Sequence, residues 1–314
     1  GSLPGSVQKE LSPLQKFPAD ALVKYVGFSN DSKHLFIGTT TGEFTTWDIS
    51  RNRLVQRVIM GREVRQYVPG PRGTLYTLHA DGTFGLREMN TGKLLKLFKF
   101  ERGVIRIRPG PKERIYLFQF FQLSGHVSYT TPAGSTHHTG WRYMPVFSAD
   151  GKVAAVPMGK DKVAICNAET GKTIRTITVV PYQHGLIIAL SPDGKYLASA
   201  VSVKERENVA IIDVATNKTI RRIEIRENPS PIEELLFSPN GKFLAAKGSP
   251  NYSFSSWLDL YSVKSGKLVG RTTKTLTDIP AFSPDGKFLA FSFAGDGPLP
   301  NWNYYVGLFR LPGS

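Results

Sequence analysis

Arginines and aromatic side chains are the residues of this chain best suited to recognition chemistry. Arg62, Arg65, Arg102, Arg106 and Arg142 carry planar guanidinium forks that bind carboxylates or phosphates through paired N–H donors. Trp141, Tyr182, His184, Tyr252, Phe254, Trp302 and Tyr304 carry flat rings of the kind that anchor interfaces or stack on bases. Brought to one concave face, the two sets would hold a carboxylate-rich peptide or a nucleic-acid backbone.

Groupings with catalytic or metal-binding spacing are scarce. No Gly-x-Ser-x-Gly elbow, phosphate-binding glycine loop or paired-carboxylate spacing occurs. His137 and His138 are adjacent, so on a strand they point to opposite faces and do not share one ion. Cys166 lies in the apolar run Val163-Ala-Ile-Cys-Asn167 and is expected to be a small buried hydrophobe rather than a nucleophile. Asp161, Asp213, Asp259 and Asp296 fall near strand ends, where aspartate is turn chemistry. No catalytic residue, cofactor or metal site is expected.

A repeat must position the recognition residues. Seven turn-forming hexamers recur, starting 40, 40, 39, 43, 47 and 45 residues apart. They are Phe28-Ser-Asn-Asp-Ser-Lys33, Val68-Pro-Gly-Pro-Arg-Gly73, Arg108-Pro-Gly-Pro-Lys-Glu113 and Phe147-Ser-Ala-Asp-Gly-Lys152, then Leu190-Ser-Pro-Asp-Gly-Lys195, Phe237-Ser-Pro-Asn-Gly-Lys242 and Phe282-Ser-Pro-Asp-Gly-Lys287. The runs between them, such as Leu-Ile-Ile-Ala-Leu and Val-Ala-Ile-Ile-Asp-Val, are near-continuously apolar, as in strands covered on both faces. A repeat of this period with only β segments between turns predicts an all-β propeller of seven four-stranded antiparallel blades. Seven such blades use nearly all of the 314 residues, so residues 1–314 are expected to form one domain. Gly1-Ser2 looks like an expression scar, and residues 1–6 are read as scar and linker. The last blade lacks a fourth strand, and residues 7–17 are expected to supply it, pairing with the strand at 304–311 and closing the ring.

The chain is basic and contains one cysteine. Lys and Arg number 40 against 25 Asp and Glu, a net charge of +15. Lys33, Arg72, Lys112, Lys152, Lys195, Lys242 and Lys287 in the hexamers contribute to this, as do Arg53, Lys93, Lys172, Lys218 and Lys267 in a second set of turns. Residues 51–115 show a second concentration, fifteen Lys/Arg against five Asp/Glu, that overlaps the turn set only in part. Such charge points towards anionic partners. A single cysteine excludes an internal disulfide framework, and no apolar run reaches the ~20 residues that span a bilayer. A cytoplasmic location with no membrane partner is therefore expected.

In its hexamers, in second turns such as Ala168-Glu-Thr-Gly-Lys172, and in Trp47-Asp48, the chain resembles the WD-repeat family of β-propellers along essentially its whole length. The Ser-Pro-Asp-Gly-Lys form is also similar to bacterial and Tol-associated propellers. Trp-Asp occurs once, with Arg87, Asn167 and Tyr261 at equivalent positions, so the family's buried polar tetrad is not expected. The resemblance implies that the hexamers and Gly-Lys turns form one rim, the bottom. Loops joining second to third strands, and blade to blade, would form the top. Lengthened top loops are expected at residues 203–208, 249–255 and 294–303, carrying Tyr252, Phe254, Trp302 and Tyr304. Blade-to-blade loops would carry Arg62, Arg65, Arg102, Arg106, His137, His138, Trp141, Arg142, Tyr182 and His184. These placements favour a non-enzymatic scaffold that binds a protein or peptide, such as an acidic one or a segment of its own parent chain, on the top face. Nucleic-acid or other polyanion binding is the alternative. A hydrolase or lyase site in the central funnel is the second alternative.

Overall fold

Each hexamer turns the chain through bonds made within itself and to the residue that follows it. In Phe147–Lys152 the Ser148 hydroxyl donates to the Asp150 carboxylate at 2.7 Å and accepts the Val153 N–H at 3.0 Å. The same carboxylate accepts the Lys152 N–H at 3.0 Å, and Gly151 supplies the required positive φ of 67°. The pattern recurs at Ser29/Asp31, Ser191/Asp193, Ser238/Asn240 and Ser283/Asp285. In the Val-Pro-Gly-Pro hexamer Thr74 instead donates to the Pro71 carbonyl at 2.6 Å.

These turns set up seven four-stranded sheets in a computed structural model that describes residues 10–100, 103–121, 124–182, 184–203, 206–225, 231–249, 256–275, 280–294 and 304–313. The first strand is β1 (Gln15–Ala19). Blade one is β2 (Val23–Phe28), β3 (His34–Thr39), β4 (Glu43–Asp48) and β5 (Arg53–Ile59). Blade two is β6 (Val64–Pro69), β7 (Thr74–His79), β8 (Phe84–Glu88) and β9 (Leu94–Phe98). Blade three is β10 (Arg106–Pro109), β11 (Ile115–Phe121), β12 (Ser124–Thr130) and β13 (Thr136–His138). Blade four is β14 (Val146–Phe147), β15 (Val153–Pro157), β16 (Lys162–Asn167) and β17 (Thr173–Thr178). Blade five is β18 (Ile188–Leu190), β19 (Tyr196–Val203), β20 (Arg206–Asp213) and β21 (Lys218–Glu224). Blade six is β22 (Ile232–Phe237), β23 (Phe243–Gly248), β24 (Ser256–Ser262) and β25 (Leu268–Thr275). Blade seven is β26 (Ala281–Phe282), β27 (Phe288–Ala294) and β28 (Tyr304–Arg310), completed by β1.

All blade pairings are antiparallel, and the first strands of successive blades touch, β2 with β6, β6 with β10, β14 with β18, β18 with β22 and β26 with β2. The protein is a seven-bladed β-propeller. Flat apolar cores lie between blades; Ala198, Val209 and Ile211 of blade five, for example, pack on Leu235, Leu244 and Tyr261 of blade six. Among the described residues no helix is long and apolar enough to cross a membrane.

Closure runs through the N-terminal segment, with shifted boundaries. Phe17 pairs with Val306 and Ala19 with Tyr304, while the Leu14 N–H bonds the Leu308 carbonyl at 2.7 Å. Residues 10–11 reach the neighbouring blade instead, the Leu11 N–H bonding the Arg271 carbonyl of β25 at 2.9 Å. Pro13, expected inside the closing strand, lies between these two attachments, and Pro18 takes the strand position opposite Tyr305. Residues 7–9 lie outside the described residues. The expected loop at 203–208 is corrected as well: β19 and β20 stay paired out to Val203 and Arg206.

A recurring irregularity shapes the perimeter. In blades one, two, four, five and six, pairing between third and fourth strands slips by one residue, leaving Val55, Leu95, Ile174, Ile220 and Val269 unmatched. A bulge of this kind bends the outer strand and raises its local twist.

The aspartates of the turns make one pH prediction. At Asp31 and Asp150 the serine hydroxyl first, and then a backbone N–H, hold the carboxyl below its usual range. At Asp193 and Asp285 burial pushes upward, but the same bonds outweigh it. A folded-state pKa below the unfolded value of about 3.9 adds stability above that pH, and the stability is lost as pH falls through the folded value. Asn240 makes the same two bonds without a titrating group. Replacing all four aspartates by asparagine is thus expected to preserve folding at pH 7 and to flatten the loss of melting temperature between pH 5 and pH 2. Parallel acid profiles for parent and variant would show that these turns do not drive acid sensitivity.

Candidate functional site

The connection from blade one to blade two is held rigidly and presents two arginines. The Met60 N–H bonds the Gly42 carbonyl at 2.8 Å, Val64 N–H the Thr40 carbonyl at 3.1 Å, and Ala80 N–H the Glu63 carbonyl at 2.9 Å. The His79 ring contacts the Arg62 carbonyl at 2.8 Å and the Thr77 hydroxyl at 3.1 Å. Gly42 has a φ of 91°, and a Cβ there would stand 1.7 Å from the Gly61 carbonyl oxygen, so only glycine fits. This frame walls a hollow of about 590 Å³ lined by Lys24, Thr40, Thr41, Arg62, Glu63, Val64, Arg65 and Ala80. Arg62 and Arg65 are exposed, and their side chains make no hydrogen bond or ion pair among the described residues. Two acids stand nearby: Glu63 itself, and Asp20, which accepts the Thr41 hydroxyl at 2.8 Å.

The first strands carry a polarised set of charges. Their Lys and Arg residues are Lys24 on β2, Arg65 on β6, and Arg106 and Arg108 on β10, all in blades one to three. Their carboxylates are Glu233 and Glu234, both on β22 of blade six. Arg106 reaches from blade three to Glu234 of blade six at 3.9 Å and stays half-exposed. Arg108 donates to the Pro145 carbonyl at 3.0 Å, and desolvation lowers its pKa against the pull of Glu234. Gln66 joins blades two and three at their first strands, donating to the Ile107 carbonyl at 2.7 Å and accepting its N–H at 2.9 Å. Glu233 accepts the Ser249 hydroxyl and lies 3.5 Å from the buried ammonium of Lys247. Glu233 is the bulged residue of β22, Glu234 pairs with Lys247 across the ladder, and each carboxylate has a cation beside it. This arrangement can hold an anion against blades one to three.

The expected site residues divide accordingly. Arg62 and Arg65 come together at the hollow, with Lys24. Arg106 is on the first strand of blade three rather than in a loop. Trp141 is partly buried, its ring stacking on Tyr116 at 5.9 Å and packing against the Cys166–Ala168 side of blade four. Tyr182 is 4% exposed in the core between blades five and six, where its hydroxyl accepts the Ile232 N–H at 2.7 Å, so it is no surface anchor. His184 is exposed, edge-on to Tyr182 at 5.3 Å, and Arg142 is exposed. Tyr304 begins β28 opposite Ala19, within a blade rather than in a loop. His137 and His138 form the outer strand of blade three, His137 stacking on Tyr129 at 5.0 Å, and are not loop residues. Arg102, Tyr252, Phe254 and Trp302 lie outside the described residues. Cys166 is buried and burial pushes its thiol pKa up, consistent with a core role.

Sequence reasoning missed Lys24, Gln66, Arg108, Glu233, Glu234 and Lys247. The available signal was a charged or amide residue interrupting an apolar strand next to a hexamer, which costs free energy unless it is paired or hydrated. No protein-family model and no curated protein sequence matches the chain. What the geometry defines is a class, a seven-bladed β-propeller with a basic hollow at the mouth of blades one and two.

Proposed function

We propose that this propeller is a non-enzymatic interaction scaffold of the WD-repeat type, acting in the cytoplasm. Its top face takes an acidic segment of another protein, or of its own parent chain, along blades one to three. The observation that carries this reading is the pair Arg62 and Arg65, exposed and without side-chain partners among the described residues, beside Lys24 at one rigid hollow. Unpaired guanidinium groups need no internal ion pair broken before they bind carboxylates two-pronged. Arg106, on β10 beside β6, and exposed Arg142, in the connection from blade three to blade four, add further cations. Charges of this kind mainly raise association rates and set a salt dependence.

The test is fluorescence anisotropy with a labelled Glu/Asp-rich peptide containing one tryptophan. Arg62→Glu with Arg65→Glu is expected to weaken binding at least tenfold while leaving the melting temperature unchanged, because both side chains are exposed and unpaired. Equal binding by the variant would remove the hollow as the site.

A second reading, polyanion binding, draws on the net charge of +15 and its concentration in residues 51–115. Single- and double-stranded nucleic acid titrated across salt separates the two readings. A nucleic-acid reader shows a log–log slope of about −0.7 to −0.9 per neutralised phosphate. The peptide scaffold is expected to bind neither at physiological salt.

A further inference from the structure

The outer strand of blade two differs from the other outer strands. Leu94, Leu95 and Leu97 of β9 are 41%, 50% and 46% exposed, three large aliphatic side chains within five residues. The other outer strands show fewer such side chains among the described residues: Val55 and Ile59 on β5, Ile174 on β17, Ile220 on β21 and none on β13. Leu95 is the bulge residue, so it is not matched across the pair with β8. In its sheet β9 is bonded only to β8, which leaves one backbone edge open.

The charges on the strand and at its two ends are lysines. Lys93 and Lys99 bracket the leucines and are exposed. Lys96 sits among them, donating to the Ala133 carbonyl and lying 5.6 Å over the Phe98 ring. β9 has no acidic residue; along the chain Glu88, which accepts the Thr91 hydroxyl, precedes it and Glu101 follows it. Lysines on a sheet edge repel a second copy of the same edge, because like charges brought opposite each other across a ladder are unfavourable. They also favour a strand of opposite charge.

The geometry points to β9 as a docking edge for an extended segment of a partner protein with aliphatic residues flanked by carboxylates. The segment adds as a fifth strand to blade two. Ladder bonds to the open edge hold its backbone, Leu95 and Leu97 meet its aliphatic side chains, and Lys93 and Lys99 pair with the flanking carboxylates. This surface lies on the perimeter and is separate from the top-face hollow.

The test uses full-length protein carrying Arg62→Glu and Arg65→Glu, which removes the hollow from the measurement. The probe is a fluorescein-labelled peptide with alternating valine and threonine at its centre and two glutamates at each end. Saturable binding is expected, together with new amide-exchange protection on β9. Leu95→Ser with Leu97→Ser should weaken binding at least tenfold without changing the melting temperature, since both side chains are half-exposed. The same peptide with lysines in place of glutamates should bind at least tenfold more weakly. No binding, equal binding by the serine variant, or protection away from β9 would each overturn the assignment. So would a parent dimer that Leu97→Glu converts to monomer, because the edge would then be occupied by a second copy.

Discussion

Replacing Arg271 by methionine is expected to destabilise the propeller by about 3–5 kcal/mol, the cost of leaving a buried charge without its partner. The charge is Asp259 on β24, fully buried. Arg271 on β25 holds it with both prongs, Nε to Oδ1 and Nη2 to Oδ2, each at 2.6 Å, and the Tyr261 hydroxyl donates to Oδ2 at 2.8 Å. Burial, with the Asp259 charge beside it, raises the Tyr261 pKa far above its usual value, so the phenol remains a donor throughout the working pH range. The backbone carbonyl of Arg271 also receives the Leu11 N–H, so the cluster sits where the N-terminal segment crosses blade six. A buried pair is not stabilising by default, because desolvation of both ions offsets their attraction. Asp259→Leu combined with Arg271→Met is therefore expected to be less damaging than either substitution alone. Urea unfolding of the two single variants and the double variant measures this coupling. Additive losses across the cycle would mean that the two side chains act independently.

Removing residues 1–19 is expected to have an effect at least as large, by opening the ring. The truncation strips β1 from β28, losing the ladder from Gln15–Leu308 to Ala19–Tyr304. It also empties the place of Phe17, which is fully buried among Val26, Leu35, Val306 and Leu308 and meets the Trp47 ring at 5.6 Å. Phe17→Ala alone is expected to cost about 3–5 kcal/mol, the usual range for a phenylalanine removed from a packed core. The truncated chain also exposes the edge of β28, so self-association should accompany the lower melting temperature. A peptide of residues 10–19 supplied in trans should restore part of the melting temperature. A truncated chain that stays monomeric with an unchanged midpoint would mean that the ring closes by another route.

The seven turns and the strand runs between them could be read from the chain alone, because their chemistry is local. Ser148, Asp150 and Val153 complete their bonds within six residues, so the hexamer and the residue after it contain the partners of the turn. The missing fourth strand of blade seven followed from the same counting, which is why closure by the N-terminal segment was predictable. The boundaries of that strand depended instead on which neighbours the segment meets: residues 10–11 pair with blade six, and β1 starts only at Gln15. Trp141 and Tyr182 looked like anchors by residue type. Only the blade packed beside each ring decides how far it faces solvent, and here blade four covers Trp141 in part and blade six buries Tyr182. Arg106 and Glu234 carry no sign of each other in the sequence. They meet because ring closure places blade three opposite blade six, and so the charge polarity of the first strands is a property of the closed ring. Hydrogen bonds within a turn are set by neighbours along the chain, whereas burial and ion pairing between blades are set by distances that exist only once the toroid has closed.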